Sequence, residues 1–162
     1  MRLADYTPNS TVDGVGVRQV FWLQGCPPHC PGCHNPQTWD ESGGKVVDNH
    51  GIIQMALESP FDVTFSGGDP LYQIKDMSIV CKALKEAGKN IWVYTGYMWE
   101  QVNNLPLMDY IDVLVDGRFK QDMAEPNYPF RGSSNQRIID VQRSLNEGGC
   151  VWYDCSNALE KL

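Results

Sequence analysis

Apolar residues gather in five short runs separated by polar stretches: Val17 to Leu23, Asp62 to Ser66, Asn90 to Thr95, Ile111 to Val115 and Arg137 to Val141. Each run is rich in Val and Ile with aromatics among them, and mostly continuous rather than alternating. That pattern predicts strands covered on both faces. Between the second and third runs, Met77, Val80, Cys81 and Leu84 recur at helical spacing, predicting a helix from Gln73 to Ala87 with Gly88 in the capping place. A second helix is predicted from Asn49 to Glu58, with Asp48 or Asn49 as its cap and Pro60 just past its end. A weaker one covers Met98 to Asn103. Residues 120–136, QDMAEPNYPFRGSSNQR, form the longest stretch without periodicity.

Strands alternating with helices imply parallel βαβ units with right-handed crossovers, hence an α/β fold. A closed eight-stranded barrel usually takes about 250 residues. A chain of 162 residues supplies only part of one, so the expectation is an open partial (β/α) barrel of about five mostly parallel strands. No repeat, low-complexity block or linker divides residues 1–162, which read as a single domain ending in a tail at 146–162.

Charge narrows the partners. The net charge is −7, and no basic run is present, which argues against nucleic acid or an anionic membrane. No apolar run approaches the roughly 18 residues of a membrane span, and the start MRLADYTPNS lacks the plan of a signal peptide. The expected location is cytoplasmic, where six cysteines serve as thiols, ligands or redox groups rather than structural disulfides.

Three of the six stand together. Cys26, Cys30 and Cys33 form C-x3-C-x2-C just after the first predicted strand. Thiolates from one loop can hold three corners of an iron–sulfur cube and leave one iron open to a ligand. Zinc is the competing reading, with His29, His34, Cys150 or Cys155 completing a tetrahedron; the later pair, however, is C-x4-C rather than a second C-x2-C. Cys81 falls on the apolar helix face and reads as core. Cys150 and Cys155 read first as idle thiols, with a metal or a redox pair as alternatives.

The loop resembles that of the radical S-adenosylmethionine superfamily, and "GCPPHCPGCHNPQTW" is similar to the anaerobic ribonucleotide reductase-activating proteins within it. The likeness continues in order through "SGGDPL" at 66–71, "IWVYTGY" at 91–97, "DVLVDGRF" at 112–119 and "RGSSNQR" at 131–137, spanning a core of about residues 13–141. Five ordered motifs favour iron over zinc. "DGVGVR" at 13–18 corresponds to the family's DGPG-x-R segment with Val15 in place of proline, and Arg18 is given no catalytic role.

What the resemblance implies is specific. Cys26, Cys30 and Cys33 would hold a 4Fe-4S cluster whose open iron chelates S-adenosylmethionine. Gly67, Gly68 and Asp69 would receive the cofactor's amino group, with Gly68 the foremost contact. Gly32, Cys33 and His34 would lie against the adenine, although Gly32 stands where many superfamily members have an aromatic residue. Thr95 and Asp116, at the ends of later strands, would sit near the ribose or methionine end. Each has a plainer alternative: Asp69 as a helix cap, Asp116 with Gly117 as a turn. Among the tryptophans, Trp22 and Trp92 are expected in the core and Trp39 as a shield beside the cysteine loop.

The implied activity is one-electron cleavage of S-adenosylmethionine to a 5′-deoxyadenosyl radical. That radical would take hydrogen from a glycine Cα of an anaerobic ribonucleoside-triphosphate reductase, with a donor such as flavodoxin or ferredoxin supplying the electron. No paired carboxylates or Ser/His arrangement is needed. A radical enzyme acting on a small molecule and a non-catalytic zinc module are the alternatives.

Overall fold

The computed structural model describes residues 1–25, 36–40 and 42–155. Its centre is a seven-stranded sheet. The strands are β1 (Arg2–Ser10), β2 (Arg18–Leu23), β3 (Lys45–Val46), β4 (Asp62–Gly67), β5 (Ile91–Tyr94), β6 (Val113–Asp116) and β7 (Arg137–Asp140). Their order is β3-β1-β2-β4-β5-β6-β7. The pairings β2–β4, β4–β5 and β5–β6 are parallel, whereas β1 runs antiparallel to both neighbours and β7 antiparallel to β6. The fold is mixed α/β, and the sheet is not closed.

All five expected strands are present, within a residue or so of their expected ends. Two more flank them. β1 has no clean alternation and contains Pro8, which has no N–H to give to a ladder. The β1–β2 register accordingly shifts between Thr7 and Ser10, around that proline. β3 is two exposed residues held only to β1. Three of the four pairings among the expected strands are parallel, in keeping with a mostly parallel set, and β7 is the exception because no helix long enough for a crossover precedes it. Residues 117–136 instead carry the chain back along the same edge, with one short turn of helix at Gln121–Met123.

Among the described residues the α-helices are α1 (Asn49–Glu58), α2 (Ile74–Glu86), α3 (Trp99–Val102) and α4 (Val141–Glu147). Asp48 caps α1 by accepting from the Gly51 N–H at 2.6 Å. α2 ends in a Schellman-type closure. Gly88, at φ +88°, donates to the Lys85 carbonyl, and Lys89 reaches back to Leu84.

The two faces of the sheet differ in chemistry, because side chains alternate along each strand. One face carries Phe21, Leu23, Val63, Phe65, Val93 and Leu114 against Ile52 and Ala56 of α1 and Met77, Val80, Cys81 and Leu84 of α2. Each fully buried apolar side chain contributes about 1.5–3 kcal/mol. The other face carries Arg18, Thr64, Trp92, Tyr94, Val113 and Val115, covered by Val15, Phe130 and Tyr153 from irregular segments. Among the described residues no helix is long and apolar enough to cross a membrane.

Candidate functional site

Parallel register brings the carboxyl ends of β2, β4, β5 and β6 to one edge of the sheet, with Leu23 opposite Gly67 and Tyr94 opposite Val115. The cysteine loop springs from that edge. Cys26, Cys30 and Cys33, with Gly32 and His34, lie outside the described residues, but both ends of the loop are described. The Gly25 N–H donates to the Thr38 carbonyl at 2.6 Å, and the Gly25 carbonyl accepts from the Asp69 N–H at 2.8 Å. Buried Gln24 donates from Nε2 to the carbonyls of Gln37 and Asp40, at 3.0 and 2.8 Å. The loop therefore leaves and returns at one pinned point, against the Ser-Gly-Gly-Asp segment. Half-buried Trp39 follows that return.

The glycines of this segment serve close backbone packing. Gly67 has φ +102°, a conformation that disfavours any side chain. A Cβ on Gly68 would press on the carbonyl oxygen of Gly25, while the Gly68 N–H donates to Leu23 at 2.7 Å. Here two backbones meet with no room for a methyl group. Close packing at the base of this loop, together with the three cysteines that the sequence places in it, fits an iron–sulfur cluster by the chemistry of the donor set.

The polar residues at the strand ends are turned inward. Asp69 is 1% exposed. It accepts from Leu71 N–H at 3.0 Å, from the Thr95 hydroxyl at 2.9 and 3.1 Å and from Gly96 N–H at 2.9 Å. Desolvation raises its pKa against the pull of those bonds. Asp69 is thus a cap for the turn Pro70–Gln73 and a tie to Thr95, which is buried beside it. Asp116, with no exposed surface, accepts from Trp99 N–H at 2.8 Å and pairs with Arg137 at 2.6 Å. Arg137 reaches on to Glu100 at 2.8 Å, which holds that carboxyl below its usual range. Asp69 and Thr95 come together directly, and Asp116 anchors the neighbouring strand end.

A cavity of about 710 Å³ opens on the face away from the helices. Ser66 and Tyr94 of the sheet, Trp22, Asp13, and Phe130 and Arg131 of the 117–136 segment line it. Tyr94 donates to the Phe130 carbonyl at 2.6 Å, and burial pushes its hydroxyl pKa up. Arg18 braces the same face. It donates to Thr64 Oγ1 and to the carbonyls of Val15, Val63 and Asn90 at 2.8–3.1 Å, and burial pushes its pKa down to about 10. That is a structural duty. Trp22, expected in the core, lines the cavity instead and is tied through Nε1 to Thr7 at 2.9 Å. Ser66, Tyr94 and Arg131 also line the cavity without having been singled out. Their signal was the two-residue period: Thr64 and Ser66, Trp92 and Tyr94 share one face.

Cys81 is buried on α2, where burial pushes its thiol pKa up. Cys150 and Cys155 are unpaired and half-buried. Among the described residues no group of three or more His, Cys, Asp or Glu side chains is arranged to hold a metal.

A family model described as a 4Fe-4S single cluster domain matches residues 12–139. The anaerobic ribonucleoside-triphosphate reductase-activating protein of Escherichia coli (strain K12) is 35% identical over 151 residues, spanning 85% of this chain and 97% of that one. Its counterpart in Salmonella typhimurium is 36% identical over 153 residues, with the same coverage. That of enterobacteria phage T4 is 33% identical over 140 residues, spanning 81% of this chain and 88% of its own. Similarity of this extent, laid over the cysteine loop, its glycine cradle and the cavity-lining strands, means that the chain belongs to the anaerobic ribonucleoside-triphosphate reductase-activating proteins.

Proposed function

We propose that this chain is a glycyl-radical activase: it holds a 4Fe-4S cluster on Cys26, Cys30 and Cys33 and installs a radical on a glycine Cα of an anaerobic ribonucleoside-triphosphate reductase. The observation that carries the reading is the pinned base of the cysteine loop, packed through Gly25 onto Gly68 at the edge where Ser66 opens into the cavity. When bound, the cluster and S-adenosylmethionine supply a 5′-deoxyadenosyl radical by one-electron cleavage of the sulfonium. The chain's own residues orient and enclose. Gly67 and Gly68 pack the base of the cysteine loop at the edge where the amino group of the cofactor would be received, and Gly32, Cys33 and His34 would serve its adenine. Asp69, Thr95 and Asp116 spend their side chains on protein partners, so their part is to fix the strand ends that the cofactor's ribose and methionine meet. Trp22 and Phe130 keep water from the cavity wall.

The sheet would curve as a partial barrel around that cavity within one domain, and flavodoxin or ferredoxin would deliver the electron in the cytoplasm, with neither nucleic acid nor membrane engaged. The test is anaerobic reconstitution with iron and sulfide, followed by a reductant and S-adenosylmethionine. Cluster absorbance, release of 5′-deoxyadenosine and, on adding the reductase, a glycyl-radical resonance are expected. Cleavage that survives replacement of Cys26, Cys30 or Cys33 by Ala would overturn the ligand assignment.

A further inference from the structure

We propose that Tyr128, stacked on Arg131, is the platform on which this activase receives the glycine-bearing segment of the reductase; the proposal rests on the function given above and names the residue that recognises its target. Tyr128 stands at the wall of the cavity and is 42% exposed. It is not a loose surface aromatic. Its N–H closes a turn onto the Glu125 carbonyl at 3.1 Å, and Pro126 and Pro129 fix φ on either side. The Arg131 guanidinium lies 3.9 Å from the ring centroid. Arg131 is itself held by Glu125 at 3.0 Å and by the Gln136 carbonyl at 2.9 Å.

The residue between Pro129 and Arg131 anchors the turn from below. Phe130 takes φ +69°, a conformation costly for a bulky side chain, and in return its ring packs 5.5 Å from Trp92 and its carbonyl accepts from Tyr94. The fold thus spends strain, two prolines and an ion pair to hold one aromatic face still at a cavity mouth. A ring fixed in advance loses little entropy when something lies on it.

The chemistry of the platform selects its occupant. Glu125 neutralises Arg131, so the platform has no net charge to attract a phosphate or a free carboxylate. Val12, 71% exposed, lines the same cavity from the 11–17 segment and adds a second apolar contact. An aromatic face and an aliphatic side chain suit an uncharged, extended segment. A glycine at its centre lets the backbone approach the ring and the cavity floor without a side chain in the way.

The experiment measures binding of the reconstituted full-length activase to the full-length reductase by calorimetry, for wild type, Tyr128→Ser, Tyr128→Phe and Trp152→Ser. Trp152 is the control, an exposed aromatic outside the cavity lining. Tyr128→Ser should raise Kd about tenfold or more, while Tyr128→Phe and Trp152→Ser stay within about twofold of wild type. Cleavage of S-adenosylmethionine by dithionite without reductase should stay within about twofold in all four proteins, and equal melting midpoints show that Tyr128→Ser is folded. Unchanged affinity in Tyr128→Ser, or a loss no larger than that of Trp152→Ser, overturns the proposal. So does a parallel loss of partner-free cleavage, which would assign Tyr128 to the cofactor. Failure of the wild type to form a glycyl radical counts against the activase reading, while the affinities still decide the platform.

Discussion

Adding one methyl group at Gly68 tests whether this glycine is there for the fold, for the cofactor or for both. In Gly68→Ala the new Cβ overlaps the Gly25 carbonyl oxygen and stands 2.8 Å from its carbon and 3.1 Å from its nitrogen. These are backbone atoms, so no side chain can rotate away. Overpacking of this kind costs about 1–3 kcal/mol. The upper end applies if relief breaks one of the two bonds that hold Gly25, to Thr38 or to Asp69, each worth about 0.5–1.5 kcal/mol. In urea, with a slope of about 2 kcal/mol/M, a loss of about 2 kcal/mol moves the midpoint by about 1 M. The measurement is made on cluster-free protein, so any loss belongs to the chain alone. Iron content after reconstitution should fall as well, because the displaced residue immediately precedes Cys26. A midpoint equal to wild type would refute the packing argument and leave Gly68 as a cofactor contact only; equal midpoint and equal iron would refute both.

Asp69→Asn replaces an acceptor facing N–H and O–H donors with an amide group, and thermal unfolding should show a loss of about 1–3 kcal/mol. Because burial raises the Asp69 pKa above its ordinary 3.8, its contribution to stability is fully present below that value and declines as pH rises through the folded pKa. The stability–pH curve of Asp69→Asn should be flatter across that window. Asp116→Asn leaves Arg137 only the exposed Glu100 as an ionic partner. A loss of about 2–3 kcal/mol is expected, below the full value for a buried pair because Arg137 is partly solvated, and in an Arg137→Met background the same change should cost less. Cys81→Ser places a hydroxyl among apolar side chains at a cost of about 1–3 kcal/mol, yet reconstituted iron should match wild type, since this thiol is no ligand.

The parts of the fold readable in the sequence are those where burial is two-sided. β2, β4, β5 and β6 stand out as Val- and Ile-rich runs because both faces are covered, and α2 because its apolar stripe and Gly88 agree. β1 stayed hidden: Asp5, Pro8 and Asn9 interrupt any pattern, and its partners rather than its propensity make it a strand. The apolar run 137–141 marks β7 as a strand, whereas its direction depends on the route taken by residues 117–136. The site divides the same way. Local spacing placed the cysteines after β2 and the glycines after β4. The pairing of Asp116 with Arg137, the tie from Asp69 to Thr95 and the cavity beneath Phe130 join residues 21 to 36 positions apart. No local pattern carries such contacts.

The inward turn of these polar groups bears on how the edge could work. A strand end whose carboxylates were free would have to be desolvated and reoriented each time a cofactor arrived. Here Asp69 and Asp116 are already dry and bonded, to Thr95 and Gly96 in one case and to Arg137 and Trp99 in the other. The reorganisation cost is met during folding, and the backbone of the edge is fixed where Gly67 and Gly68 pack on Leu23 and Gly25. On the proposed function, discrimination among targets would fall to segments outside the sheet, among which 117–136 is braced through Phe130, Arg131 and Gln136. On the proposed function, rigid strand ends would serve the cofactor and a separate, preset mouth the protein target, dividing the two tasks between elements that can be altered independently. Substitutions at the edge should therefore change cluster and cofactor retention, whereas substitutions at Tyr128 change affinity for the reductase alone.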